Sequence, residues 1–189
     1  MTYVDVVKPK NFVLAFFYDI FLIISCSSLI AFSSRIFIPL PFTPVPITLQ
    51  TFSVLITGAL LGSKRGLLSV ILFIISGIAG LPVFAKGSGF LYLLGPTGGY
   101  IFGFLIASFT TGFFSQIGWD RSFHKTFFSL FIGNILIYIP GLIWLGRFTG
   151  YNNVLKMGFF PFLIGDIIKI GIGTFVLPSG WIILKKERR

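Results

Sequence analysis

The sequence predicts an all-α membrane protein that crosses the bilayer about six times. Of its 189 residues, 55% are hydrophobic and only 11% are charged, whereas soluble domains carry about 25% charged residues. The mean hydropathy is +0.97. The apolar residues lie in long runs, and the basic residues flank those runs. We therefore expect one integral membrane domain that covers residues 1–189.

The first predicted span covers residues 14–34. It is too long for the apolar core of a cleavable signal peptide, and it ends in a Ser-Ser-Arg sequence rather than at a small-residue cleavage site. Ser27, Ala31 and Ser34 place small side chains three and four residues apart, which lets another helix approach closely. That helix could belong to this chain or to a partner subunit, and the sequence leaves both open.

Two segments rich in proline or glycine interrupt the apolar runs, at residues 35–47 and 83–97. Proline removes a backbone donor and moves the preceding residue away from helical geometry. We expect both segments to be irregular and to fold over one face of the membrane as lid loops. Between them lie the second span, at 48–61, and the third, at 67–81, joined by a tight turn at 62–66.

The remaining spans are predicted at residues 98–117, 126–145 and 159–177, and the last should end before Pro178. An even number of spans places both termini on one side of the membrane. Most Lys and Arg residues outside the spans lie on that side, so the positive-inside rule predicts cytoplasmic termini and outward-facing lid loops. We expect a multi-pass protein of the cell membrane.

Several classes of function are disfavoured by the same sequence. The net charge is +10, but the basic residues mark the ends of spans and are not interleaved with stacking aromatics, so nucleic-acid binding is not expected. Cys26 is the single cysteine and His124 the single histidine, which offers no metal cluster and no catalytic pair. A P-loop would end in Gly-Lys-Ser or Gly-Lys-Thr, and neither tripeptide occurs, so the chain should not hydrolyse ATP itself.

An acid and a base lie within the apolar stretch at residues 159–173. These residues, Asp166 and Lys169, fall on one helical face. Each costs about 2.5–3.5 kcal/mol when placed at the centre of a membrane helix. They could form a structural ion pair that only neutralises itself. Ionisable residues inside a membrane are more often functional, so we also expect them to mark a ligand site.

Other polar residues should join this pair in a shallow pocket beneath the lid loops. The walls are apolar, so a small amphipathic molecule with a donor–acceptor head would fit. A cyclic urea could donate its N–H to Asp166 and accept from Lys169, and an anionic tail could meet Lys86 or Arg35; the reverse order stays open. The residues expected to bind the ligand are Thr48, Gln50, Lys86, Ser88, Tyr100, Asn134, Asp166 and Lys169.

Four segments resemble the signatures of the BioY family, the biotin-specific S components of energy-coupling factor (ECF) transporters. They are PLPFTPVPITLQT at 39–51, GLPVFA at 80–85, GPTGGY at 95–100 and PFLIGDIIK at 161–169. The resemblance implies an S-component bundle of six helices with an outward-facing biotin pocket under the first and third loops. It also implies that Asp166 and Lys169 contact biotin.

The resemblance implies partners as well: a transmembrane T component and two ATP-binding-cassette ATPases, contacted through small residues of the first helix. Here those residues would be Ser27, Ala31 and Ser34. No cofactor is expected, because ATP would be used only by the partner subunits. Self-association stays open.

Two other functions must be weighed against a substrate-capture subunit. The chain could be a stand-alone secondary transporter or facilitator of biotin or a similar solute, coupled to protons through Asp166. Its small size and the lack of a recognisable inverted repeat argue against this. An intramembrane enzyme would need a nucleophile–base pair or metal ligands at depth, and Asp166 with one surface histidine supplies neither.

Overall fold

The computed structural model describes residues 2–186, with side chains as far as residue 184. Arg188 and Arg189, which contribute to the predicted charge asymmetry, lie outside the described residues. The predicted all-α fold is confirmed. In chain order the helices are α1 (Tyr3–Val7), α2 (Phe12–Arg35), α3 (Gln50–Leu61), α4 (Ser63–Ile78), α5 (Phe90–Leu94), α6 (Gly98–Gln116), α7 (Phe123–Thr149), α8 (Val154–Gly158) and α9 (Leu163–Lys186), with short 3₁₀ helices at Trp119–Arg121 and Phe160–Phe162.

Six of these helices are long, which is compatible with the expected six-helix bundle. Within residues 2–186, four segments are both long and apolar enough to cross a membrane: Phe12–Arg35, Gly98–Gln116, Phe123–Thr149 and Val154–Leu184. Helices α3 and α4 have 12 and 16 residues, so at 1.5 Å per residue they extend about 18 and 24 Å.

The predicted turn at 62–66 is shorter in the structure. Only Gly62 separates α3 from α4, with φ at +86°, a conformation that glycine adopts without a steric penalty. Helix α4 therefore begins at Ser63 rather than near residue 67.

The last helix differs from the prediction at both ends. Asp166 lies in the first turn of α9, not several residues inside a helix that begins near 159, because Pro161 lies in a separate 3₁₀ turn. At the other end, α9 continues through Pro178 instead of ending before it. Membrane helices tolerate an internal proline where other groups satisfy the backbone positions that it frees.

Helix α6 lies at the centre of the bundle and packs against α3, α4 and α7. The close approach depends on glycine. A Cβ atom on Gly58 of α3 would lie 2.3 Å from the carbonyl oxygen of Ser108, and one on Gly103 of α6 would lie 2.7 Å from the Cα of Ile137. Small residues at these crossings bring the backbones of α3, α6 and α7 together, and this fixes the walls of the pocket described below.

The two lid segments are more regular than the sequence predicts. In the first, strand β1 (Phe37–Ile38) pairs antiparallel with β2 (Ile47–Thr48), and the prolines occupy the connection, where no ladder hydrogen bond is required of them. The second contains α5 and an isolated bridge between Phe84 and Gly87.

The second lid is anchored by Phe84, which is fully buried. Its ring stacks on Tyr92 at a centroid distance of 4.9 Å and meets the edge of Phe73 at 5.4 Å. Gly77 of α4 leaves the space for it, since a Cβ atom there would lie 2.1 Å from the Phe84 ring. The lid is therefore held by a close aromatic contact with the bundle.

Candidate ligand pocket

A pocket of about 590 Å³ lies beneath the two lid segments, between α3, α6, α7 and α9. The lining is mostly apolar or aromatic, with a few polar groups. It consists of Val45, Pro46, Thr48, Gln50, Thr51, Phe84, Ala85, Tyr92, Thr97, Tyr100, Ile101, Phe104, Ile137, Tyr138, Phe162, Asp166 and Lys169.

Asp166 is the acidic group of this pocket, and only 4% of its surface is exposed. Its position in the first turn of α9 is favourable for an anion, because the free N–H groups of a helix start give that end a positive potential. Three donors approach the carboxylate. Lys169 Nζ lies 3.0 Å from Oδ1, and Oδ2 accepts hydrogen bonds from Asn134 Nδ2 at 3.1 Å and from the Tyr138 hydroxyl.

Lys169 is fully engaged by the protein. Its ammonium donates to Asp166 Oδ1 at 3.0 Å, to the Thr48 carbonyl oxygen at 2.8 Å and to Thr51 Oγ1 at 3.0 Å. An ammonium has three donors, so all of them are used. The side chain thereby ties α9 to β2 and to the start of α3, and it could donate to a ligand only by exchanging one of these bonds.

Gln50, the first residue of α3, is 6% exposed and presents an unused donor. Its side-chain Nε2 is buried and has no hydrogen-bond partner among the described residues. A buried polar group without a partner costs about 1–3 kcal/mol. Because Gln50 also lines the pocket, an acceptor on a bound molecule would relieve this cost.

The structure brings together five of the eight residues expected to bind a ligand. Asn134 contacts Asp166 but is not part of the lining. The residues that line the pocket are Thr48, Gln50, Tyr100, Asp166 and Lys169. Tyr100 lines it with its ring, while its hydroxyl donates to the Gly158 carbonyl oxygen at 2.8 Å.

Lys86 and Ser88 do not join the site. Both are exposed and lie outside the lining. The turn closed by the Phe84–Gly87 bridge directs Phe84 and Ala85 to the pocket and leaves Lys86 on the other side. Arg35, the other expected contact for an anionic tail, donates instead to the Pro82 carbonyl oxygen.

Sequence reasoning missed two lining residues that hydrogen-bond the central pair, Tyr138 and Thr51. Tyr138 follows Asn134 by four residues, one turn of the same helix, and this spacing was the available signal. Thr51 directly follows Gln50. The contact between Phe84 and Tyr92 had no signal, because it depends on how the second lid folds back on itself.

The small residues of the first helix, predicted to contact a partner subunit, pack within the chain in this structure, and the partner interface itself stays a prediction. Ser27 and Ser34 are buried within the chain, with 6% and 0% of their surfaces exposed, and Ala31 is partly buried against the core. Small side chains here allow α2 to pack on its own neighbours α3 and α4. The exposed face of α2 carries large apolar residues instead, among them Phe17, Phe21 and Phe32.

Comparison with known proteins is consistent with this geometry. The family model for BioY matches residues 8–186. The chain is 42% identical over 134 residues to the "Probable biotin transporter BioY" of Pyrococcus horikoshii, covering 70% of this chain and 78% of the relative. It is 37% identical over 142 residues to the "Biotin transporter BioY" of Thermotoga maritima, covering 74% and 82%.

A solved structure is similar in fold along most of the chain. It is a crystal structure of the S-component for biotin from an ECF-type ABC transporter. The TM-score is 0.76 at 30% sequence identity, and the match covers 85% of this chain and 89% of the other. Because the family model, these relatives and the solved fold all match this sequence, the chain belongs to the BioY family.

Proposed function

We propose that this chain is the biotin-capture subunit of an ECF-type vitamin importer. The observation that carries the proposal is the lid-covered pocket in which Asp166, Lys169 and the unpartnered amide of Gln50 meet in mostly apolar surroundings. Its relatives are named biotin transporters, and the similar crystal structure is an S-component for biotin.

The chemistry of biotin suits these groups. Its ureido ring offers two N–H donors and one carbonyl, and the rest of the bicycle is apolar. A carboxylate has about four acceptor sites, and three donors already approach Asp166, so one site remains for a ureido N–H. The free Nε2 of Gln50 suits the ureido carbonyl, while Phe104 and Phe162 supply apolar walls.

Lys169 has a supporting part in this proposal. It compensates the charge of Asp166 and holds the start of α3 in place through Thr48 and Thr51. Lys169 is the only cation among the lining residues, so the valerate carboxylate of biotin has no second charged partner inside the pocket. We place it at the mouth of the pocket, beneath the lid segments and close to water.

ATP-driven transport would need ATPases outside this sequence, because no P-loop tripeptide occurs in it. We propose coupling to a transmembrane T component and two ATP-binding-cassette ATPases, with both termini in the cytoplasm and the lids outside. The placement follows the positive-inside rule.

Two measurements test this function. Calorimetric titration of the detergent-purified protein should show saturable biotin binding, and an analogue that lacks the valerate carboxylate should retain most of the affinity. Uptake of labelled biotin into cells should require the ATPase genes. Absence of biotin binding would overturn the ligand, whereas uptake that is unchanged without the ATPases would identify a stand-alone transporter.

A further inference from the structure

A groove of about 990 Å³ opens at the end of the bundle that carries the N-terminus. It exists because the first half of α2 leaves the bundle: the buried residues of this helix, Ser27, Ile30, Ser33 and Ser34, all lie in its second half. The groove separates that detached half from the end of α3 and the first turns of α4. It is distant in the fold from the ligand pocket, which lies at the opposite end of α3.

The walls of the groove are apolar. Phe16, Ile20 and Ile23 line it from α2, and Leu61 and Leu68 line it from the other side. Phe16 is 56% exposed and Leu68 is 48% exposed. In a bilayer, such walls suit a hydrocarbon chain lying along α2.

The mouth of the groove is charged. Arg65 pairs with Asp5 at 2.7 Å. Its Nε also lies 2.9 Å from Asp19 Oδ1, without an aligned hydrogen bond, and Asp19 Oδ2 pairs with Lys8 at 2.7 Å. These four side chains balance one another in charge.

Lys64 adds an uncompensated positive charge to the same mouth. It lines the groove and is exposed, and its ammonium has no ion pair or hydrogen-bond partner within the described part of the chain. A lone cation at the membrane edge, above an apolar groove between helices, is complementary to an anionic headgroup with an attached acyl chain.

We propose that this groove binds an anionic phospholipid from the adjacent leaflet, with an acyl chain against Phe16, Ile20 and Leu68 and the phosphate on Lys64. Charge complementarity favours a lipid over an apolar partner helix, because such a helix would cover Lys64 without neutralising it. The site does not require that the chain bind biotin.

Native mass spectrometry of the purified protein with added phosphatidylglycerol or phosphatidylcholine of identical acyl chains tests the headgroup contact. The protein should retain phosphatidylglycerol preferentially. Lys64→Ala should lower that preference about fivefold, the effect of one lysine near an anionic headgroup. Lys125→Ala is the control, because Lys125 is also exposed but does not line the groove. Equal retention of the two lipids, or an equal loss in both variants, would overturn the proposal.

A larger side chain in the apolar wall of the groove tests whether an acyl chain binds there. Ile20→Trp should reduce phosphatidylglycerol retention with Lys64 still present, whereas Ile24→Trp should not, because Ile24 is an exposed isoleucine of α2 outside the groove. An unchanged melting temperature confirms that each variant is folded. If Ile20→Trp leaves lipid retention intact but lowers the recovery of co-purified subunits, the groove belongs to a protein partner and the lipid proposal is wrong.

Discussion

Asp166 and Lys169 differ in how much of their hydrogen-bonding capacity the protein itself uses. Lys169 spends its three donors on Asp166, Thr48 and Thr51, which is the pattern of a structural brace. Asp166 keeps acceptor capacity, and Gln50 has an unused buried donor in the same pocket lining. At the scale of single residues, the pair therefore combines a bracing base with an acid that remains available to a ligand.

The substitution Gln50→Leu separates ligand binding from stability. It removes a buried donor without a partner, so the unliganded protein should melt at the same temperature or higher. Biotin affinity should fall about tenfold, the value of one hydrogen bond at roughly 1.4 kcal/mol. Calorimetry and thermal unfolding in the same detergent check both expectations. A lower melting temperature with unchanged affinity would show that the Gln50 amide serves the fold and not the ligand.

Among the elements, the second lid is anchored to the bundle by the close packing of Phe84. The ring of Phe84 lies against Gly77 of α4, where no Cβ atom can be accommodated without displacing it. The lid therefore has a defined closed position over the pocket, and loosening this contact should affect how long a ligand stays bound.

Gly77→Ala should accelerate biotin release. Overpacking of this kind costs about 1–3 kcal/mol, which corresponds to an off-rate that is higher by about five- to 150-fold if the cost falls on the closed lid. Gly171→Ala is the matched control, since a Cβ atom on that helical glycine has nothing within 4 Å. Chase of labelled biotin measures the rate. Equal off-rates in the two variants would show that the Phe84 contact does not retain the ligand.

The N-terminal helix α1 packs on the bundle at the end opposite the ligand pocket. Tyr3 packs on Trp181 at a centroid distance of 4.5 Å, and Asp5 pairs with Arg65. Burial alone would raise the pKa of Asp5, but hydrogen bonds from Arg65 and Thr2 outweigh it and hold the pKa below its ordinary value of 3.8. Because the carboxyl pKa is lowered in the docked arm, ionised Asp5 stabilises docking at pH values above the ordinary carboxyl pKa. That stabilisation is lost as the pH falls through the lowered pKa.

The arm should accordingly stay docked at neutral pH and detach only in acid below pH 3.8. In a variant that keeps Trp181 as its only tryptophan, fluorescence should report the loss of the Tyr3 contact over that range. Asp5→Asn should lower the stability of the docked arm at pH 7 and flatten the transition. A transition near pH 6 that persists in Asp5→Asn would assign the titration to another group.

On the scale of the whole molecule, the sequence predicted the features that depend on whether residues prefer lipid or water. Hydropathy predicted the helical bundle, proline-rich segments predicted the lids, and a costly acid–base pair at 166 and 169 predicted the centre of the pocket. Features set by tertiary packing were missed. The fold of the second lid leaves Lys86 outside the pocket, and α9 continues through Pro178.

The orientation in the membrane remains a prediction of the charge distribution. In a Cys26→Ser background, a membrane-impermeant maleimide added to intact cells should label Ser88→Cys on the second lid. Lys125→Cys should be labelled only after the cells are broken. Both positions are exposed on the folded protein, so a difference in labelling reports the side of the membrane on which each lies. The reverse pattern would place the lids and the pocket mouth in the cytoplasm.

A matched pair of substitutions tests whether the buried carboxylate of Asp166 binds biotin. Asp166→Asn keeps the shape but removes the charge. Asp120 at the opposite end is equally buried, at 2% exposed, and accepts hydrogen bonds from Ser115 at 2.9 Å and from Trp181 at 2.6 Å. Asp120→Asn is therefore the control for loss of a buried carboxylate.

Calorimetric titration with biotin should show affinity lowered by about ten- to 150-fold in Asp166→Asn, the value of one charge-assisted hydrogen bond, and unchanged in Asp120→Asn. If Asp166→Asn is folded and binds biotin as tightly as the unaltered protein, the account of this pocket is wrong.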